Sequence, residues 1–343
     1  MAKHKTRHLA QHFSLVLRWY NCAMRLMRGV LVAFLFSSLL VACGRPSYPY
    51  VRLAEPEAKI VRAPAVGAYK LPLRVAVAAV ISPAATLEAY GPLVDYLAAR
   101  LDRPVTLLQR RTYAEINELL RSGQADVAFV CGGAFVEGER DFSMELLVAP
   151  QVRGQTVYRA YLIVPRASEA KTLADLRDKT FAFTDPLSNT GRLALEYRLT
   201  RSGEQSDTFF SQIIYTYSHD NSIRAVADGV VDAAVVDSLV YDYTMARGPQ
   251  SSGRTRVIER SPPYGIPPVV VHPQLNAQLK EELRAVFLGM AADEQGRAAL
   301  AHLLIDRFVP IQPDAYATIR AMASQLRHGE PGATVAATWE QMP

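Results

Sequence analysis

"TFAFTDPLSNTGRLALEYRL", residues 180–199, joins a short apolar run to a helical pattern through a turn of small polar residues. The first four residues predict a buried strand, and Asp185 and Pro186 then turn the chain. After the turn, leucines recur at the spacing of a helix that buries one face: Leu193, Leu195 and Leu199. The stretch therefore predicts a strand, a polar turn and a helix, which is the repeating unit of an α/β sheet.

The start of this helix carries unusually many polar groups for a turn. They are Ser188, Asn189 and Thr190, followed by Gly191. The first four N–H groups of a helix have no partner inside it, and the helix dipole adds partial positive charge there. A glycine lets the backbone approach an oxyanion closely. The turn therefore predicts a seat for an anion, and a simple helix cap is the alternative that this stretch leaves open.

A second stretch, "YSHDNSIRAVADG" at residues 217–229, repeats the arrangement. Its donors also stand where a strand meets a helix: Ser218, His219, Asn221 and Ser222. A lone histidine is more often structural than a ligand contact. Two donor-rich helix starts in one region nevertheless favour a single convergent site.

The surrounding pattern alternates short apolar runs with helical segments, once before residue 160 and again after it. We expect strands at 73–80, 105–108, 125–130, 157–164, 180–183, 212–217, 231–236 and 255–258. Such alternation predicts parallel sheets. We expect lobe I at 71–163 and 265–330 and lobe II at 164–264, with crossings near 160–168 and 260–268. The tail after residue 275 is predicted to be helical.

The length of 343 residues favours two domains or two lobes. The formal charge of +5 comes from the N-terminus: residues 1–43 hold six of the 38 basic residues and no acid, which leaves 32 against 33 acidic residues. A nearly neutral body argues against general nucleic-acid binding, which needs a basic face.

The N-terminus has the layout of a secretory signal. Basic residues precede an apolar run, Gly29 to Val41, which is shorter than the ~20 residues that span a bilayer. The run ends at Cys43 and resembles the lipobox of bacterial lipoproteins, in which the cysteine is lipidated. We therefore expect a lipoprotein signal peptide at 1–43, a tether at 44–70 and a periplasmic or cell-surface protein anchored to the membrane by Cys43.

Three alternatives for the N-terminus stay open. A plain transmembrane anchor with an incidental cysteine fits the same run. Met1, Met24 and Met27 are all candidate start residues, because the segment before the apolar run is long. Either the inner or the outer membrane could carry the lipid anchor.

The body from Leu73 to Ala291, about two thirds of the chain, resembles the substrate-binding proteins of phosphonate, phosphite and phosphate ABC importers. "DPLSNTG" is similar to the phosphonate seat of that family. "SHDNS" with "GVVDAAVVDS" is similar to its histidine loop and following strand. "RTYAEINELLRSGQADVAF" and "VYRAYLIV" are similar to its first-lobe helix and first crossing.

The resemblance implies a type II periplasmic-binding fold, with two hinge crossings and C-terminal helices, that closes on its ligand. It implies that Ser188, Asn189, Thr190 and His219 hold phosphoryl oxygens. Tyr113 is implied to face the ligand, and Tyr158 to line the cleft. The implied partners are a small oxyanion and an ABC permease complex, and the protein is expected to be a monomer.

This sequence departs from family members that bind aminoethylphosphonate through late carboxylates. At the positions that align with those carboxylates it has Leu239 and Pro267. Asp237 is close by and is a candidate substitute, although it is equally suited to capping the next helix. A phosphonate with a small or apolar group, phosphite or phosphate is therefore expected, with sulfate or a sulfonate as the alternative.

Other functions remain as competing hypotheses. The same fold could report ligand occupancy to a receptor kinase. A hydrolase using Ser188 or Cys131 would need a base near the nucleophile, and no histidine lies near Cys131 in sequence. The sequence lacks HExxH, CxxC, Walker-type and GxGxxG patterns, so we expect no enzyme activity, cofactor or metal.

Overall fold

A computed structural model describes residues 70–247, 253–328 and Trp339. The predicted signal peptide, the tether up to residue 69 and the lipidation site at Cys43 lie outside the described residues. Within the described ranges no helix is long and apolar enough to cross a membrane.

The first half of lobe I consists of strands and helices in strict alternation. They are β1 (Leu73–Val77), α1 (Pro83–Leu101), β2 (Val105–Gln109), α2 (Tyr113–Arg121), β3 (Val127–Phe129), α3 (Gly132–Phe142) and β4 (Glu145–Gln151). The chain then leaves through β5 (Val157–Tyr158).

Lobe II repeats the alternation. Its elements are β6 (Ala160–Pro165), β7 (Thr180–Phe183), α4 (Ala194–Arg201), α5 (Ser206–Phe209), β8 (Gln212–Tyr215), α6 (His219–Ala227), β9 (Ala233–Asp237), α7 (Ser238–Arg247) and β10 (Thr255–Arg260). One-turn 3-10 and π segments occur at Leu173–Leu176 and Asn189–Leu193.

The chain returns to lobe I through β11 (Tyr264–Gly265), which pairs antiparallel with β5. The remaining elements are β12 (Val269–Val271), α8 (Ala277–Gly289), α9 (Glu294–His302), β13 (Arg307–Val309) and α10 (Ala317–His328), with short 3-10 turns at Met290–Ala292 and Pro313–Tyr316. The paired β5 and β11 are the two crossings, and a thin two-stranded link of this kind can act as a hinge.

The two sheets are mixed, whereas the sequence pattern predicted parallel ones. The lobe I sheet has the order β13-β4-β12-β3-β1-β2, and the lobe II sheet has the order β10-β6-β9-β7-β8. Parallel pairing joins β1 to β2 and β3 in lobe I, and β7 to β8 and β9 in lobe II. β12 and β6 enter their sheets directly from a crossing, so they run antiparallel to their neighbours β3 and β9.

The division into two lobes remains our proposal, with its first boundary moved. The sequence placed that boundary between residues 163 and 164. Ala160 to Ile163 pair with β9 in the lobe II sheet, so the crossing falls before Ala160. The run 157–164 contains two strands because β5 belongs to the hinge and β6 to the sheet.

Apolar burial fixes where the cleft-facing turns lie. All residues of β9 and β12 are buried, as expected for central strands covered on both faces. β7, β8 and β9 run parallel, so their carboxyl ends lie at one edge of the sheet, and the polar turns that follow β7 and β8 meet there.

Candidate functional site

The turn after β7 forms a helix start that begins with one wide π turn. Ser188 caps it by accepting a hydrogen bond from the Gly191 backbone N–H at 3.0 Å. The Leu193 N–H donates to the Ser188 carbonyl at 2.9 Å, which gives the wide turn. Ser188, Asn189 and Thr190 are fully buried. The cap predicted as the simple alternative is therefore present, but it uses only one of the polar side chains.

The turn after β8 positions His219 at the first residue of α6. The Asp237 backbone N–H donates to the Nδ1 atom of His219 at 3.1 Å, so Nδ1 is an acceptor. The proton of the neutral ring is therefore on Nε2. Burial lowers the pKa of His219 to about 3, against an opposing effect of Asp220. The imidazole is thus a neutral donor at neutral pH.

Thr184 connects the two helix starts. Its hydroxyl lies 3.1 Å from the Nδ1 atom of His219 and 3.4 Å from the hydroxyl of Ser222. Gly191 packs against Thr184 so closely that a Cβ atom there would lie 2.5 Å from the threonine Oγ1 atom. A side chain at residue 191 would collide with Thr184. Glycine at this position therefore allows the two helix starts to lie next to each other. The structure therefore joins the two predicted polar stretches in one site.

Lobe I closes over this site with backbone and small side chains. The Tyr113 N–H donates to the Oδ2 atom of Asp185 at 3.1 Å, and the Asn189 N–H donates to the Sγ atom of Cys131 at 3.3 Å. The His219 N–H donates to the Val80 carbonyl at 3.0 Å. These bonds join the lobes, so the structure shows the cleft closed.

The crossing strand β5 adds Tyr158 to the wall of the site. Its hydroxyl accepts a hydrogen bond from the side-chain amide of Asn189 at 3.1 Å and lies 3.8 Å from the Cys131 sulfur. Tyr158 is 2% exposed. Burial, together with the neighbouring Cys131 and Asp237, raises its pKa well above the usual value. It is therefore protonated at neutral pH.

Asp237 lies beside the histidine at the end of β9. Its Oδ1 atom accepts the N–H groups of Leu239 at 2.7 Å and Val240 at 3.4 Å, so it caps α7. Burial raises its pKa to about 7, with a smaller contribution from Asp242. The helix cap that the sequence suggested for Asp237 is therefore present. Asp237 also adjoins the site, because its backbone N–H contacts His219.

Four buried polar atoms in these residues have no hydrogen-bond partner: Tyr113 Oη, Asn189 Oδ1, Thr190 Oγ1 and His219 Nε2. Burial raises the pKa of Tyr113 and the Ser188 hydroxyl lowers it, although no hydrogen bond of ordinary geometry joins the two hydroxyls. An unpaired buried polar group costs about 1–3 kcal/mol. Three of the four can donate a hydrogen bond, which is the chemistry that an oxyanion needs.

The geometry disfavours the nucleophile hypotheses. Burial raises the pKa of Cys131, so the sulfur is a thiol that accepts the Asn189 N–H. Nδ1 of His219 is occupied by Asp237 and Thr184, so it is not available as a base for Ser188. No group of three or more His, Cys, Asp or Glu residues in the described ranges could hold a metal ion.

Comparison with known proteins identifies the family. The model of a family described as "ABC transporter, phosphonate, periplasmic substrate-binding protein" matches residues 75–316. The chain belongs to this family. The resemblance drawn from the sequence motifs is thereby confirmed, and so is the assignment to a family of periplasmic solute-binding proteins.

Two relatives have informative names. The "Phosphate-import protein PhnD" of Mycolicibacterium smegmatis is 27% identical over 210 residues, which cover 58% of this chain and 65% of the relative. The "Phosphonates-binding periplasmic protein" of Escherichia coli is 24% identical over 219 residues, which cover 62% and 64%. The chain thus matches just under two thirds of the length of these relatives.

Solved structures confirm the type II periplasmic-binding fold. A binding protein component of an ABC phosphonate transporter from Pseudomonas aeruginosa superposes with a TM-score of 0.70 at 22% identity, covering 74% of this chain and 85% of the other. PhnD1 from Prochlorococcus marinus, solved with methylphosphonate, gives 0.68 at 19% identity, covering 75% and 98%. At these identities the likeness concerns the fold.

All seven predicted site residues are buried, and hydrogen bonds join Asn189 to Tyr158 and Asp237 to His219. The seven are Tyr113, Tyr158, Ser188, Asn189, Thr190, His219 and Asp237. Sequence reasoning gave Thr184 and Asp185 no role in the site, and it did not place the backbone of Gly133 against Leu187. Thr184 orients the histidine, and Asp185 joins the lobes. The Asp-Pro turn and the Gly-Gly pair were visible in the sequence, but the partners across the cleft were not.

Proposed function

We propose that this protein captures a small phosphorus oxyanion, a phosphonate, phosphite or phosphate, and delivers it to an ABC importer. Membership of the family and the names of its relatives support the class of ligand. The observation that carries the proposal is the set of buried donors without partners in a closed cleft, at Tyr113, Thr190 and His219. An oxyanion placed among them would accept all three hydrogen bonds.

The donor set suits an anion that is held without a neighbouring cation. Hydrogen bonds to a charged acceptor are about twice as strong as neutral ones. The start of α4 adds the favourable end of a helix dipole. Asn189 Oδ1 is an acceptor and would receive the hydroxyl of a singly protonated phosphate or phosphonate.

The proposed role requires binding without turnover. The raised pKa of Cys131 and the engaged Nδ1 atom of His219 leave neither Cys131 nor Ser188 activated. We further propose that the protein is a monomer held at the membrane by a lipid on Cys43. Transfer of the ligand to a permease is favoured over signalling to a receptor kinase because the family is that of ABC transporters.

A thermal-shift panel on the full-length chain in detergent tests the proposal. Phosphate, phosphite, methylphosphonate, aminoethylphosphonate, sulfate and taurine are compared at equal concentrations. At 100 times its dissociation constant, a ligand adds about 2.7 kcal/mol to the free energy of unfolding. We expect the largest shift from one of the first three and little from aminoethylphosphonate.

Variants locate the binding site. Ser188→Ala and His219→Ala are each expected to weaken binding of the best ligand, whereas His302→Ala, at an exposed position on α9, should not. Unchanged affinity in both site variants would exclude the proposed seat. Release of product from a chromogenic phosphate or ester, lost in Ser188→Ala, would instead establish a hydrolase.

A further inference from the structure

A cavity of about 610 Å³ lies beside the proposed oxyanion seat. Tyr158 and Asp237 line this cavity and also belong to the site, where they contact Asn189 and His219. The cavity is bounded by residues of both lobes and by the segment Ile266 to Pro268, which follows the second crossing β11. It is therefore an extension of the same cleft.

The wall of the cavity is mainly apolar. Prominent lining residues are Val80, Ile81, Phe129, Leu239, Val240 and Pro267. The carboxylate of Asp237 also lines the cavity, where its Oδ1 atom accepts the N–H groups of Leu239 and Val240 and so caps α7.

Charged residues at the wall are engaged with other parts of the protein. Arg153 pairs with Asp242 at 2.9 Å, and the Arg159 guanidinium donates to the Ser261 carbonyl. Asp306 accepts the Gly154 N–H at 2.7 Å. A ligand group with a formal charge would have to compete with these contacts, whereas an apolar group would not.

The volume of the cavity also indicates how large a ligand the site could hold. Sites for small organic molecules typically have volumes of about 300–1,000 Å³ and mainly apolar walls with few polar groups. An inorganic oxyanion bound in the seat would leave this volume to water. Water against apolar walls is unfavourable, and displacing it by an apolar group favours binding.

We propose that the ligand is an organophosphonate with an uncharged, apolar substituent of several carbon atoms. The phosphonate group occupies the seat formed by Thr190 and His219, and the substituent extends past Tyr158 and Asp237 into the cavity. This inference rests on the proposed function, because it uses the same seat for the phosphonate group.

A homologous series of ligands tests the inference on the full-length chain in detergent. Methyl-, ethyl-, propyl- and butylphosphonate are compared by isothermal titration calorimetry, with aminoethylphosphonate as the charged counterpart of the propyl compound. Each methylene group moved from water into the cavity is expected to tighten binding about fourfold, the equivalent of ~0.8 kcal/mol. Butylphosphonate should then bind roughly 60-fold more tightly than methylphosphonate.

A variant that fills the cavity provides the structural control. Leu239 is partly buried and lines the cavity, so Leu239→Trp should reduce the butyl-to-methyl affinity ratio to near one. Leu288→Trp, at a position 36% exposed on α8, is the matched control and should keep the full ratio. Leu303→Trp fills another part of the cavity wall and replaces the first variant if that one does not fold.

The possible outcomes separate the two proposals. If methylphosphonate binds and affinity stays level or falls along the series, the inference is wrong and the proposed function stands. If none of the phosphonates, phosphate or phosphite binds, the proposed function itself is wrong. Tighter binding of aminoethylphosphonate than of propylphosphonate would show that the cavity accepts a cation and would also overturn the inference.

Discussion

The two lobes are built from the same unit of strand, turn and helix, but their cleft-facing turns carry different side chains. In lobe II the turns after β7 and β8 present hydroxyl, amide and imidazole groups. In lobe I the turn after β3 presents Cys131, Gly132 and Gly133. The difference suggests a division of roles for the proposed site, in which lobe II supplies most of the donors, and lobe I adds Tyr113 and closes over them.

The contacts across the cleft support this division. Lobe I contributes mostly backbone to the closed interface, through the Tyr113 N–H and the Val80 carbonyl. Gly133 fits against lobe II only because it has no side chain: a Cβ atom there would lie 2.3 Å from the Leu187 carbonyl oxygen. Apart from Tyr113, lobe I thus approaches the site mainly with its backbone.

The largest effect is expected from a side chain that keeps the lobes apart. Gly133→Ala puts a Cβ atom 2.3 Å from the Leu187 oxygen and 3.0 Å from the Asn189 nitrogen. We expect ligand affinity to fall about a hundredfold, because closure is blocked while each lobe stays folded. Calorimetry gives the affinity, and thermal unfolding checks the fold.

Gly91→Ala is the matched control for this variant. Gly91 is also inside a lobe I helix, but a Cβ atom there would meet nothing within 4 Å. It should keep the affinity and gain up to ~1 kcal/mol in stability from helix propensity. Equal affinities of the two alanine variants would show that closure does not depend on the backbone of α3.

A smaller effect is expected from removing one donor in lobe II. Thr190→Val deletes a buried hydroxyl that has no partner within the protein. Affinity should fall by about 1.5 kcal/mol, roughly tenfold, because a hydrogen bond to a charged ligand is lost. The stability of the unliganded protein should not decrease, since no protein contact is removed.

A buried threonine of lobe I gives the opposite pattern. The hydroxyl of Thr86 donates to the carbonyls of Ser82 at 3.0 Å and Ile81 at 3.3 Å. Thr86→Val should therefore lower stability by about 1 kcal/mol and leave affinity unchanged. If Thr190→Val lowers stability in the same way while keeping affinity, the polar turns of lobe II serve the fold and not a ligand.

The smallest net effect is expected from two titrating groups of lobe II, because their contributions to stability oppose each other. The pKa of His219 is lowered from 6.5 to about 3, and that of Asp237 is raised from 3.8 to about 7. Between pH 3.8 and 6.5 the unfolded chain holds the proton on His219, so this residue makes stability rise with pH. Asp237 makes it fall, because there the folded protein holds the proton.

Single variants separate these contributions in denaturant titrations over this pH range. Each group contributes a slope of about 1.4 kcal/mol per pH unit. Asp237→Asn should make the change of stability with pH more positive by that amount, and His219→Gln should make it more negative. An unchanged slope in Asp237→Asn would mean that the carboxylate is exposed in the unliganded protein, as expected if the lobes open there.

Much of the fold was predictable because it depends on local pattern. β7 was predicted at Thr180–Phe183 and is found there, since apolar residues bounded by Asp-Pro define both its burial and its end. The two helix starts were located by the polar residues that precede them. Ser188 caps the π turn that leads into α4, and Ser218 caps α6. The mixed order of the sheets was missed, because strand direction depends on where the chain re-enters a lobe after a crossing.

The candidate site could be proposed from the sequence on the side where the donors lie close together along the chain. Ser188, Asn189, Thr190 and His219 follow strands and precede helices, so their types and positions indicated an anion seat. The apolar cavity beside that seat was not predicted, since its walls come from distant parts of both lobes.

The sequence alone determined the alternation of strands and helices, the two polar helix starts and membership of a binding-protein family, because each depends on residues within a few turns of one another. The tertiary structure decided which polar groups remain without partners and what lies across the cleft from them. It fixed the tautomer of His219 through the Asp237 N–H, and it placed Gly133 against Leu187. The physical reason is that hydrogen-bond partners and steric contacts between lobes depend on distances in space, which the order of residues along the chain does not specify.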